Sequence, residues 1–131
     1  MLRYITYNNE QLPVDFSLMT AVKIAKAYGT DITGISEIFS KLDDAESQLV
    51  FLSRVGAIAL TEGSLRHAVE THTPITEAKR YTEYDVIDML TVDMSMAEEL
   101  TRHLSESFEN LAVFQKPQAT PVAPKTKKRK R

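Results

Sequence analysis

Apolar residues recur along this chain with two different periods, and the change of period divides it. In Leu2-Arg3-Tyr4-Ile5-Thr6-Tyr7, β-branched and aromatic side chains dominate, and in Leu12-Pro13-Val14-Asp15-Phe16 every second side chain is apolar. Period two is the strand repeat, because successive side chains leave a pleated strand on opposite faces. Asn8-Asn9-Glu10-Gln11 lies between the two runs, and asparagine tolerates the positive φ of a tight turn. A β-hairpin is therefore predicted over 2–16. Pro13 has no N–H to give to a ladder, so its strand is expected at an edge. An isolated hairpin is marginal in water, so one face must pack on the rest of the chain.

From Ser17 onward the spacing becomes three and four. Ser17 suits an N-cap; Leu18, Ala21, Val22, Ala25 and Tyr28 share a face; Gly29 stands where a terminating glycine belongs. A second helix fits 33–42, with Ile35, Ile38, Phe39 and Leu42 together. Asp43 and Asp44 then open a third, at 45–62, which should stop at Gly63. Its stripe of Leu49, Leu52, Val55, Gly56, Ala59 and Leu60 is widened by Phe51 and Ile58, the mark of a central helix. Leu65, Ala68 and Val69 suggest one further turn, halted at Thr71-His72-Thr73-Pro74 because the residue before proline avoids the α region. Thr82-x-x-Asp85 resembles a capping box ahead of Val86, Ile87, Met89 and Leu90. A last helix, from 92 or 93 to 114, carries Met96, Leu100, Leu104, Phe108 and Leu111 on one face. The expected fold is mostly α: an N-terminal hairpin followed by a bundle of about four to six helices.

Charge changes the picture at the C-terminus. Lys116, Lys125, Lys127, Lys128, Arg129, Lys130 and Arg131 are 7 of the 16 basic residues, and no acid lies among them. The first 115 residues hold the other 9 basic and all 18 acidic residues, a formal charge of −9. Pro117, Pro121 and Pro124 break any helix there, and so few apolar residues cannot offset the entropy of ordering. The 131 residues thus read as one domain, 1–115, and a disordered basic tail, 116–131. No apolar run approaches the roughly 20 residues that span a bilayer. The polar start, with Arg3, Asn8, Asn9 and Glu10, does not resemble a signal peptide, so a cytoplasmic protein is expected.

Catalytic chemistry finds little material. The chain has no cysteine, which excludes disulfides, thiolate metal sites and cysteine nucleophiles. His67 and His72 are five apart, a spacing that does not share a helical face, and His103 stands among Arg102, Glu99 and Glu106. All three are expected to be exposed or to cap helices. Asp85, Asp88 and Asp93 lack calcium-loop spacing, Gly29, Gly34, Gly56 and Gly63 never group into a phosphate loop, and no serine sits in a nucleophile elbow. No enzyme activity, cofactor or metal is expected. Met89, Met94 and Met96 read first as core filling and second as an adaptable binding surface.

The order of these elements resembles the phage tail assembly chaperone family. The residues that carry the resemblance are the hairpin running straight into a helix, YITYNNEQLPVDFSLMTAVKIAKAYG, then ITGISEIFSKLD, QLVFLSRVGAIALTEG and YDVIDMLTVDMSMAEELTRHLSESFENL. The resemblance implies a non-catalytic binding protein of long-tailed phages or prophages, holding the tape measure protein and tail tube subunits before tail polymerisation. It also implies self-association into rings or spirals, and residence in the host cell cytoplasm. On it, Met96, Leu100, Leu104, Phe108 and Leu111 are the candidate partner-binding stripe. The proline-free strand with Tyr4, Ile5 and Tyr7 is the candidate edge for a homo-oligomer. The alternative is a small nucleic-acid-binding regulator acting through Lys125, Lys127, Lys128, Arg129, Lys130 and Arg131. A body of charge −9 would repel phosphates, which disfavours it.

Overall fold

The computed structural model describes residues 2–110, with side chains through Ser107. Two antiparallel strands, β1 (Leu2–Tyr7) and β2 (Glu10–Asp15), lead into α1 (Leu18–Ala27), α2 (Ile32–Ser40), α3 (Ala45–Glu70), one 3₁₀ turn (Ile75–Glu77), α4 (Glu83–Val92) and α5 (Ser95–Asn110). The protein is mostly helical with an N-terminal hairpin, as the periodicity predicts.

The hairpin turn is tighter than the four polar residues suggest. Tyr7 pairs with Glu10, so only Asn8 and Asn9 form the loop. Their φ angles of 50° and 68° are those of a turn that follows the right-handed twist of the strands. Pairs alternate along the ladder from the bonded pair flanking a two-residue loop, so Tyr4–Pro13 falls at a non-hydrogen-bonded position and proline forfeits no ladder bond.

Ser17 stands at the N-cap of α1 as expected, but its hydroxyl donates to Asp15 instead of capping the helix. Asp31 and Asp44 cap α2 and α3 through the backbone N–H of Gly34 and Ser47, and Thr82 and Asp85 form a reciprocal capping box on α4. Helix α1 ends at Gly29, whose φ of 65° lets Thr30 N–H reach the Ala25 carbonyl.

Helix α3 departs from expectation. It does not stop at Gly63 but continues to Glu70, absorbing the separate turn expected at 65–69. Gly63 is instead the crossing point over the hairpin. A Cβ there would overlap the Pro13 carbonyl and lie 2.6 Å from Val14 Cα, so only glycine lets the helix backbone lie on β2. The real stop is His72, with φ 59°, where Thr73 N–H bonds the Ala68 carbonyl in the same pattern that ends α1. Gly56 plays a gentler role: a Cβ would sit 3.2 Å from Leu100 and 3.3 Å from Val86, so α4 and α5 close directly onto α3.

One core results. Ile5, Val14 and Phe16 of the hairpin region meet Ala21 and Ile24 of α1, Ile35 of α2, and Phe51, Val55, Ala59 and Leu60 of α3. Val86 and Leu90 of α4 and Met96, Leu100 and Leu104 of α5 complete it. Leu52, expected in its centre, packs only partly buried at its margin.

Candidate protein-binding surface

The described part of the stripe expected to bind a partner belongs to this core. Met96, Leu100 and Leu104 are at most 1% exposed. The reason is the spacing itself: a clean apolar stripe is what a helix needs to dock on a core, and Gly56 clears room for Leu100. The Phe108 side chain and Leu111, the rest of that stripe, lie outside the described residues, as do Lys125, Lys127, Lys128, Arg129, Lys130 and Arg131 of the tail.

The edge expected to recruit another copy is also engaged in part. Leu2, Tyr4 and Thr6 are the β1 residues whose N–H groups face away from β2 in this register. Thr6 N–H donates to the Glu99 carboxylate of α5 at 2.9 Å, and Asn8 N–H to Asp93 at 2.9 Å. Arg3 bonds Glu106 at 2.8 Å and lies 3.1 Å from His103 Nδ1. Ile5 is buried, Tyr7 packs partly buried against the core, and of the three proposed edge side chains only Tyr4 is open, at 44%. Helix α5 therefore packs along β1 and takes up the Thr6 N–H, so this strand is not wholly bare.

His103 is likewise not exposed. It is half-buried in the β1–α5 seam, and its Nε2 is buried with no hydrogen-bond partner among the described residues. Burial, then the charges of Arg102 and Arg3, hold its pKa below the ordinary 6.5, with Glu106 and Glu99 opposing. His67 and His72 are exposed, and His72 ends α3.

The apolar surface that is open lies elsewhere. Met19, Leu65, Val69 and Ile75 line a groove of about 420 Å³ with Asp15, Glu62 and Arg66. Met19 is 57% exposed, Val69 62% and Ile75 52%, and Leu18 beside them is half exposed. Three elements build its apolar lining, the first turn of α1, the last two turns of α3 and the 3₁₀ turn, and Asp15 comes from the end of β2. Its floor is braced by Asp15, which is buried and accepts from Ser17 Oγ at 2.8 Å and Thr20 Oγ1 at 3.2 Å, with Arg66 Nε at 3.6 Å. Lys23 and Glu62 form a partly exposed pair at 2.6 Å nearby.

Sequence reasoning passed over this groove for a traceable reason. With α3 ending at Gly63, Val69 belonged to a stray turn and Ile75 to nothing. The signal was present in α1: Thr20, Ala21, Ile24 and Ala25 are its buried residues, and a 3.6-residue repeat puts Met19 on the opposite side. Of the three methionines singled out, Met89 and Met96 are core and Met94 is exposed.

No protein-family model, no curated protein and no solved structure matches the chain. Among the described residues, no helix is long and apolar enough to cross a membrane, and no three His, Asp or Glu side chains gather in a metal-holding group.

Proposed function

We propose that this protein is a non-catalytic assembly chaperone of the phage tail type, holding the tape measure protein and tail tube subunits soluble in the host cytoplasm. The observation that supports it is the open groove of Met19, Leu65, Val69 and Ile75 on an otherwise acidic body. Large apolar side chains grouped on a polar surface are where a partner's apolar face is taken up. An exposed groove of this lining suits an amphipathic helix laid by its apolar side. The net charge of −9 on residues 1–115 supports solubility and discourages nonspecific collapse. The groove, rather than the α5 stripe, takes the partner in this proposal, because Met96, Leu100 and Leu104 already hold the core together.

The test is co-expression with the tape measure and tail tube proteins from the same genome. The intact chain should move the tape measure protein from the pellet to the soluble fraction and co-purify with it. A Met19→Glu, Val69→Glu, Ile75→Glu variant should lose both effects while keeping its helical circular dichroism spectrum. If neither protein is solubilised, or the triple variant works as well as the parent, the proposal fails.

A further inference from the structure

A second groove, of about 640 Å³, opens where α1, α2 and α3 meet. Tyr28, Ile38, Leu42, Val50 and Phe51 form its apolar lining, and Asp44, Glu46 and Ser47 its polar rim. Two aromatic rings lie in the lining, Tyr28 and the almost fully buried Phe51, with centroids 5.5 Å apart. The rim is anionic. Asp44 accepts from Ser47 N–H at 2.6 Å and Ser47 Oγ at 3.0 Å, bonds that hold its carboxyl below the usual range and keep it ionised. Glu46 and the adjacent Asp43 are exposed. Arg54 lies over Tyr28 at 5.0 Å and is bonded to Glu83 at 2.7 Å, and Lys41 lies 3.9 Å from Glu37.

We propose that this groove is the docking site for the chain's own C-terminal segment, with Pro121-Val122-Ala123-Pro124 on the apolar lining and Lys125 to Arg131 along Asp43, Asp44 and Glu46. The chemistry of the two sides corresponds. Prolines three apart favour a left-handed extended helix that has little freedom left to lose, and aromatic-lined grooves take up such segments. In this chain the proline pair runs directly into six basic residues within seven positions, with no acid. The other open grooves fit less well, because Arg66 stands in the Met19–Ile75 groove and Lys26 in the one between α1 and α2.

The reach is sufficient. Helix α5 places Thr101 in a small cleft with Leu42 and Phe51, which also line the groove. At 1.5 Å per residue, Asn110 lies about 14 Å further along the axis. The residues from 110 to Pro121 span up to about 36 Å when extended. A tether of this length gives an effective concentration of about 1 mM, so a contact of only millimolar affinity is formed about half the time, while a free copy at micromolar concentration cannot compete.

The chain has no cysteine, so a nitroxide on Thr126→Cys reports uniquely on the tail. In the full-length protein, amides at 28, 38, 42 and 44–51 should broaden more than any others. Broadening should persist when the labelled chain is diluted into unenriched, unlabelled protein, as an intramolecular contact requires. Glu46→Lys with Val50→Lys, both at exposed positions, should abolish it. A tail carrying Lys127→Gln, Lys128→Gln, Arg129→Gln and Lys130→Gln should weaken it severalfold with no change to the folded body. Absence of broadening overturns the proposal. So does broadening spread evenly over the acidic surface and insensitive to both variants. Broadening seen only when a spin-labelled, unenriched chain is mixed with enriched, unlabelled protein assigns the groove to a second copy and equally overturns it.

Discussion

The β1–α5 seam and the Met19–Ile75 groove have sequences that advertise the opposite of what each does. Helix α5 carries the cleanest apolar stripe in the chain, and the described part of that stripe is buried. Around it, Arg3, Glu99, Glu106 and His103 fasten the strand to the helix. The groove has no such stripe. Its apolar residues come from three elements and stand out of phase with the buried faces: Met19 opposite Ala21 and Ile24, Val69 one residue after buried Ala68, and Ile75 in a single 3₁₀ turn. A regular stripe is a folding signal, because the core rewards periodicity. Apolar residues that the periodicity leaves over are the better sign of a surface kept open for a partner.

The sharpest way to break this contrast is to empty each side in turn. Leu100→Ala should cost about 2–5 kcal/mol in urea unfolding, whereas Val69→Ala, at an exposed position, should stay within about 0.5 kcal/mol. Equal losses would mean that the groove is as structural as the seam. Next in size, Gly63→Val forces a side chain into the Pro13 carbonyl and should cost about 1–3 kcal/mol or more, by lifting α3 off β2. An unchanged denaturation midpoint would remove the close crossing on which the groove's placement depends.

A smaller effect separates the strain of the two sides. His72 holds φ 59° in the segment that joins Val69 to Ile75, a conformation that side-chain-bearing residues resist. His72→Gly should therefore stabilise the protein by about 0.5–1 kcal/mol, glycine's extra unfolded-state freedom taking back part of the gain. A loss of stability on thermal melting would show that the imidazole contributes more than its backbone costs.

The smallest effect concerns pH and belongs to the seam. The folded pKa of His103 lies below 6.5, so as pH falls through 6.5 the unfolded chain takes up a proton before the folded one does. Stability then rises with pH across that window and is lost as pH falls from 6.5 towards the folded value. His103→Gln should flatten this part of the pH dependence in urea melts between about pH 7.5 and 5. A parent protein with no slope there would mean that protonation leaves the Arg3–His103–Glu106 contact intact.

Local chemistry was largely legible in the sequence. The paired asparagines, Gly29, Asp44 and the Thr82–Asp85 box act within four residues of themselves, so their spacing suffices to read them. The roles of Gly63 and His72 were not legible, since one depends on a strand fifty residues away and the other on where α3 really ends. A glycine after an apolar run reads as a helix stop unless the partner backbone is known. The same limit hid the groove, whose three apolar segments meet only after α3 has been extended to Glu70. The α5 stripe was legible as a stripe. What its residues alone could not say is whether it faces inward or outward; the fold turns Met96, Leu100 and Leu104 inward.

Hydrogen–deuterium exchange of the intact chain, alone and with a saturating tape measure protein, tests the binding assignment most directly. Protection should appear in the first turn of α1, over 62–70 at the end of α3 and across 75–77, with α5 and β1 unchanged. Protection confined to β1 and α5, with the groove exchanging at its free rate, would contradict the assignment and return the partner to the stripe that the fold has buried.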